Sequence, residues 1–263
     1  MTSEPGIAIP RVRILNVELD NLSRHELLER FTSGVVLTVN VDFIVQMQSD
    51  CAFLDIQRRA DYSVADGQIL VFASRFLGTP LKERIAGADL LPAFCEHHRD
   101  NPDVRIFLLG AAPGVAQAAM RTINVRAGRA IVVGAHSPSY GFERDDRECL
   151  EIVERINGSG ATVLAIGVGA PKQEKWIAAW RSRLGGVRMF LPIGGSLDFL
   201  AGAKRRAPDW IGRAGLEWLF RLAQEPRRLW RRYLLEDPRF IRLVLQQRRG
   251  RYRDPFPDRA SSA

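Results

Sequence analysis

Aliphatic and β-branched residues gather in short runs along the chain, at 12–17, 35–39, 62–65, 104–109, 130–134, 162–168 and 187–193. The stretches between them carry helical signals. Ser23-Arg24-His25-Glu26 has the spacing of a capping box, in which hydroxyl and carboxylate each accept from the other residue's backbone N–H. Leu22 and Leu27 stand where a hydrophobic staple closes. Further on, Cys149, Ile152, Val153 and Ile156 fall on one helical face, and Asn157-Gly158 supplies a left-handed terminator. Strand-length apolar runs alternating with amphipathic helices predict an α/β fold, a mostly parallel sheet covered by helices.

The pattern changes after residue 200, where Trp210, Trp218, Phe220, Trp230, Tyr233 and Phe240 punctuate arginine-rich sequence and Pro208, Pro226 and Pro238 divide it into three short helices. The charge changes at the same point. Residues 201–263 hold 16 basic and 7 acidic side chains against 22 and 23 in the first 200, so the net +8 belongs to the tail. We therefore expect an α/β core over 1–203 and a basic helical appendage over 204–263, frayed from Asp254 onward. Hydrophobic residues make up 46% of the chain, enough for a core that needs no disulfide. Cys51, Cys95 and Cys149, odd in number and without a C-x-x-C pair, read as buried thiols in a reducing compartment. Residues 1–10 lack the basic-then-apolar order of a signal peptide, and no run of 18 apolar residues occurs, so a cytosolic protein is expected, free or on a membrane surface.

In open parallel sheets ligands sit beyond the carboxyl ends of the strands, where helix N-termini present free N–H groups. Polar and glycine-rich sequence collects at those ends: Thr38-Val39-Asn40, Asp66-Gly67, a Gly110 to Gly114 turn, Gly167-Val168-Gly169-Ala170-Pro171-Lys172-Gln173 and Gly194-Gly195-Ser196. Asp66-Gly67 is by itself a common turn dipeptide; beside Thr38 and Asn40 its carboxylate equally suits a general base acting on an alcohol. The Gly167 loop lacks the P-loop pattern and the third glycine of G-x-G-x-x-G. Even so, small residues admit a diphosphate to the backbone, Pro171 suits a first helical position, and Lys172 adds a charge; a plain strand-to-helix turn fits as well. Arg84 precedes Gly87 and a helix-capping Asp89. The histidines have no metal spacing, and no two aspartates stand two apart, so no metal site is expected.

Taken in order, Thr38-x-Asn40, Ala65-Asp66-Gly67, Glu83-Arg84-x-x-Gly87-x-Asp89-Leu90-Leu91-Pro92, Gly169-x-Pro171-Lys172-Gln173-Glu174-Lys175-Trp176, Gly194-Gly195-Ser196-x-Asp198-Phe199-x-x-Gly202 and Arg206-Ala207-Pro208-x-Trp210, followed by Gly215-Leu216-Glu217-Trp218 and Glu225-Pro226-Arg227-Arg228, form a specific combination. It resembles the WecG/TagA/CpsF glycosyltransferases, glycosyltransferase family 26, from about Ile14 to about Tyr233. The resemblance implies a Rossmann-like fold and an inverting, metal-independent enzyme without a cofactor. Such an enzyme moves a sugar from a UDP-sugar to a polyprenyl-diphosphate-linked saccharide at the inner face of the cytoplasmic membrane, for cell-surface polysaccharide. N-acetylmannosamine, its uronic acid and glucose are all donors of the kind implied. Asp66 matches the catalytic base, Thr38 and Asn40 the polar residues beside it, and Arg84 and Gln173 residues that engage the diphosphate or donor sugar. Asp198 matches a nucleoside contact, and Gly169 with Lys172 lies in the donor loop. The appendage is implied to complete the active site, with Arg221, Arg227, Arg228 and Arg231 over the acceptor diphosphate, while its remaining arginines and aromatic residues suit an anionic membrane surface.

The reading is chemically coherent, because an inverting displacement needs one base and, without a metal, cationic or N–H groups to hold the leaving diphosphate. Three other classes compete for the same features. A nucleic-acid-binding protein would use the basic tail but leave the strand-end motifs idle, so no nucleic-acid partner is expected. A nicotinamide-dependent oxidoreductase would share the fold class but lacks its glycine fingerprint. A membrane adaptor would keep the fold without the chemistry. Homo-oligomerisation is left open.

Overall fold

The computed structural model describes residues 8–257. Eight strands and thirteen α-helices follow one another: β1 (Arg11–Ile14), β2 (Val17–Asp20), α1 (Arg24–Arg30), β3 (Gly34–Val39), α2 (Val41–Gln46), α3 (Cys51–Arg58), β4 (Tyr62–Ala65), α4 (Gln68–Leu77), α5 (Gly87–His97), β5 (Ile106–Gly110), α6 (Val115–Ala127), β6 (Val132–His136), α7 (Asp146–Gly158), β7 (Val163–Gly167), α8 (Lys172–Trp180), β8 (Met189–Pro192), α9 (Ser196–Leu200), α10 (Asp209–Arg213), α11 (Glu217–Gln224), α12 (Pro226–Arg231) and α13 (Pro238–Arg248). Six strands form a parallel sheet in the order β4-β3-β8-β7-β5-β6. The chain steps outward from β3 to β4, crosses to β5 and outward to β6, then fills the middle with β7 and β8. The direction of winding reverses there, and the carboxyl ends of β3, β7 and β8 open a crevice. This is the Rossmann-like α/β architecture expected from the alternating pattern.

Alternate residues of each strand face two separate cores. Val35, Leu37 and Val39 of β3 pack with α2, α3, α4, α7 and α8, whereas Val36 faces the opposite layer, which holds α1, α5, α6 and α9. The α1 capping box forms as its spacing predicts: Glu26 N–H donates to Ser23 Oγ at 3.2 Å and Ser23 N–H to Glu26 Oε2 at 2.7 Å. Cys149, Ile152, Val153 and Ile156 are buried along α7, although the left-handed terminator is Gly160 rather than Gly158. Cys95 is buried like Cys149, but Cys51 is only half-buried.

Three expectations change. The run at 12–17 is not one strand: the chain turns at Leu15, φ 57°, and β1 pairs with β2 as an antiparallel hairpin. The appendage has four α-helices and a π-helical turn at Arg232–Glu236, because Gly215, φ 75°, adds a break that the prolines do not mark. The third is the frayed end, because the last helix of the appendage joins the main core. Phe240 and Val244 of α13 are buried in the same cluster as the hairpin and α2, with Tyr252 and Phe256 packed against it. Gln247 Oε1 accepts from Leu15 N–H at 2.7 Å, and Asp254 accepts from Asn16 Nδ2 at 3.1 Å, so the segment expected to fray from Asp254 is fastened through Phe256. The first seven residues of the N-terminal reading and the last six of the chain lie outside the described residues. Among the described residues no helix is long and apolar enough to cross a membrane.

Candidate active site

The crevice holds a cavity of about 340 Å³ walled by the ends of β3, β7 and β8 and roofed by the appendage. Thr38 and Asn40 enter it from the end of β3, Asp66 from the end of β4, Gly169 from the β7–α8 loop, Gln173 from the first turn of α8, Asp198 from α9, and Arg221 and Arg228 from α11 and α12. The sequence builds these positions locally. Asn40 is the N-cap of α2, its Oδ1 accepting from Phe43 N–H at 3.1 Å, which leaves its Nδ2 for the cavity. Thr38 is buried against the first turn of α5, where a Cβ on Gly87 would lie 2.9 Å from its hydroxyl; only glycine lets the helix approach so closely. A Cβ on Gly167 would likewise meet the carbonyl oxygen of Gly194.

Asp66 stands where this cavity meets a second one of about 90 Å³. Asn40, Asp66, Glu217, Arg221, Arg232 and Tyr233 line both, and Arg84, Ile69 and Trp218 line only the second. Its carboxylate makes no hydrogen bond or ion pair among the described residues, and Gly67, the N-cap of α4, receives no side-chain cap. The turn alternative thus lacks the backbone bond that would stabilise it. Burial pushes the Asp66 carboxyl up to about 6, against the opposing pull of Arg221; Glu217 adds to the rise, while Arg84 and Arg232 oppose it. The carboxylate is half-buried, raised toward neutral pH and open on both sides, the setting that a general base requires.

The surrounding charges form a tight set. Glu217 accepts from Arg84 Nη1 at 2.8 Å and from Arg221 Nη2 at 2.7 Å, tying core to appendage over Asp66. Burial pushes its carboxyl up, but the two guanidinium groups outweigh that and hold it below its ordinary value. Arg221 also lies over the Phe199 ring at 5.7 Å. Arg232 donates to Asn40 Oδ1 at 3.4 Å and pairs with Asp42 at 3.3 Å. Asp198 pairs with Lys204 at 3.1 Å, and Arg228 with Glu225. In the floor, Gln173 Oε1 accepts from Gly169 N–H at 3.3 Å and from Gly194 N–H at 3.2 Å, while its Nε2 donates to Glu174 Oε1 at 2.8 Å.

Several candidates fall elsewhere. Lys172 points outward, paired with Glu143 at 3.4 Å and over the Tyr140 ring at 4.9 Å, because the first turn of α8 directs that position away from the crevice. Arg231 is 73% exposed and pairs with Glu236, and Arg227 is exposed; neither lines the cavity. Arg232 takes the place expected of Arg231, since the π-helical turn begins there and shifts the helical phase. Arg84 reaches Asp66 from the second cavity rather than the first. Arg232, Tyr233 and Glu217 were missed as site residues, and only the Gly215-Leu216-Glu217-Trp218 motif hinted at one of them. Among the described residues no three His, Cys, Asp or Glu side chains cluster as ligands for a metal ion.

A switch-point crevice with an unpartnered carboxylate, ringed by guanidinium groups and covered by a basic helical segment, defines a Rossmann-like group-transfer enzyme. Comparison with known proteins gives the particular kind. The model of the Glycosyl transferase WecG/TagA/CpsF family matches residues 12–254, and the chain belongs to that family. Over 258 residues it is 30% identical to proteins named N-acetylglucosaminyldiphosphoundecaprenol N-acetyl-beta-D-mannosaminyltransferase from Staphylococcus aureus strains MW2, MRSA252 and NCTC 8325 / PS 47, covering 95% of this chain and 98% of each relative. The protein is a glycosyltransferase, and the match includes most of the basic tail.

Proposed function

We propose that the protein transfers N-acetylmannosamine, with inversion and without a metal ion, from its UDP-sugar to an N-acetylglucosaminyl-diphospho-polyprenol. The observation that carries this reading is Asp66 at the junction of two cavities. The UDP-sugar occupies the larger cavity, its diphosphate against the glycine loops after β7 and β8 and under Arg221 and Arg228, with Asp198 toward the nucleoside. The acceptor sugar comes from the side of Arg84 and Trp218. Asp66 removes the proton of the acceptor hydroxyl as that oxygen bonds to the anomeric carbon; the bond from that carbon to the diphosphate breaks on the opposite face, and UDP leaves. Arg221 and Arg232 stand nearest the developing charge, the role a metal ion fills in other transferases. The sugar named in the relatives selects the donor, and Thr38 and the free Nδ2 of Asn40 offer polar contacts to it.

The acceptor's lipid places the enzyme on a bilayer. Trp210, Leu216, Leu219, Trp230, Leu234 and Leu235 are exposed on the appendage. Phe72, beside Gly215, and Phe76, under Arg248, extend the apolar rim onto α4. Apolar side chains amid arginines suit an anionic membrane surface. The test is a screen of UDP-sugars against a polyprenyl-diphosphate N-acetylglucosamine acceptor, with and without chelator, scored by product mass and anomeric configuration. Transfer of N-acetylmannosamine as a β-linkage in the presence of chelator is expected. Turnover with no UDP-sugar overturns the donor assignment, and strict dependence on Mg²⁺ overturns the metal-free mechanism.

A further inference from the structure

The β7–α8 loop and the β8–α9 loop come from different parts of the sequence, yet one side chain joins them. Gln173 is 2% exposed, and its Oε1 accepts from Gly169 N–H and Gly194 N–H, one in each loop. Both glycines have left-handed backbone, with φ of 87° and 54°, so their conformation sets how the loops line the cavity. An amide has two nearly isosteric orientations, and something must choose between them. The two N–H donors and Glu174 make that choice together: Glu174 is 1% exposed, and its Oε1 accepts from Gln173 Nε2 at 2.8 Å. Flipped, Gln173 would turn its NH2 group toward two N–H donors and lose both loop bonds, and an ionised Glu174 would face the amide oxygen with no hydrogen to share.

Glu174 Oε2 is buried and has no hydrogen-bond partner. A carboxyl group kept in that position carries a desolvation penalty that a leucine of similar size would avoid. Its presence has no account in packing, whereas its hold on Gln173 does have one in the site.

We propose that Glu174 is a positioning residue for the nucleoside diphosphate: it orients the Gln173 amide so that Gln173 fixes the two glycine loops against which the diphosphate binds. The inference rests on the donor reading given above. Gln173 then acts through the loops, with its oxygen already committed to their N–H groups.

The test compares Glu174→Leu with Glu174→Gln, whose amide carbonyl can accept the same bond from Gln173. UDP binding is measured by calorimetry, transfer by KM and kcat, and unfolding by a thermal melt. We expect Glu174→Leu to weaken UDP binding and raise the KM for the UDP-sugar about tenfold, the equivalent of ~1.4 kcal/mol. Its kcat should change far less and its melting temperature should hold or rise, while Glu174→Gln stays within about twofold of wild type. A merely structural acid predicts a raised melting temperature with UDP binding unaltered, and that result overturns the proposal; so does a Glu174→Gln variant as impaired as Glu174→Leu. Amide hydrogen exchange of Glu174→Met against wild type decides the matter if the leucine variant does not fold. Gly169 and Gly194 N–H should exchange faster in the variant, and equal rates refute the role of Glu174. If wild-type protein binds no UDP, the donor reading fails, and exchange of these two amides in a Glu174 variant against wild type still judges the role of Glu174.

Discussion

Replacing Asp66 by asparagine should stop transfer and stabilise the fold at once. Asp66 carries a carboxyl whose ordinary value of 3.8 is raised to about 6, chiefly by burial. The folded protein therefore holds this proton more tightly than the unfolded chain, and ionising Asp66 in the folded state costs stability. The cost is absent below about pH 4, where both states are protonated, grows between about pH 4 and 6, and is full above about pH 6. At about 1.36 kcal/mol per pKa unit the ceiling is about 3 kcal/mol, reduced to the extent that water reaches the half-buried carboxylate. For a chain of this size the ceiling corresponds to a rise of roughly 6 to 12 °C in Tm. Melts of wild type and Asp66→Asn from pH 4 to 8, paired with a transfer assay, give the two readouts. The expected pattern is a variant several degrees more stable at pH 7.5, indistinguishable near pH 4, and slower in transfer by about 10² to 10⁴. A variant less stable than wild type at pH 7.5 would return Asp66 to a turn-forming role, and wild-type turnover would remove it from the chemistry.

Three further outcomes follow from the same geometry. Arg221 is the strongest cationic neighbour of Asp66, so Arg221→Gln should move the acid limb of kcat/KM upward from about pH 6; an unmoved limb refutes the pairing. Phe240 is buried in the main core, so Phe240→Ala should lower global stability by about 3 to 5 kcal/mol in denaturant unfolding, and a loss below about 1 kcal/mol would show α13 to be a loosely attached tail. The triple replacement of Trp210, Leu234 and Leu235 by serine should lower flotation with anionic vesicles at least tenfold, because each inserted side chain contributes roughly 1.5 to 3 kcal/mol; unchanged flotation refutes the membrane assignment.

The sheet was legible in the sequence because buried parallel strands are short apolar runs, and the six that form it lie where the runs lie. The hairpin was not, because its turn is Leu15-Asn16, with no glycine or proline to mark it. Thr38, Asn40 and Asp66 were legible as a group because each lies at or directly after the carboxyl end of a strand. Arg84 was legible as a site residue, but its partner Glu217 lies 133 positions away, and no local pattern announces such a pair. Arg231 and Arg232 are adjacent arginines that composition cannot tell apart; the π-helical turn decides which faces the cavity. Gln173 was legible as a site residue, but its tie to two glycine loops and to Glu174 was not, since the burial of both side chains is a tertiary fact.

The uneven charge of the chain does not serve one purpose, and the structure divides it. Near the cavity the appendage arginines are held by carboxylates, Arg221 by Glu217, Arg228 by Glu225 and Arg232 by Asp42, so these cations arrive already positioned. Arg227, Arg239, Arg242, Arg249 and Arg251 are exposed instead, near the exposed apolar side chains of α12, the π turn and α13. The two groups share a segment fastened at both ends, by Lys204 to Asp198 and Glu225 at its start and by Phe240, Val244 and the Gln247 bonds to the hairpin at its end. Deleting everything after Gly202 would therefore expose part of the core and empty the site together with any membrane surface. Only point substitutions on the outer face can separate attachment from catalysis, which is why the serine replacements are confined to residues that line neither cavity.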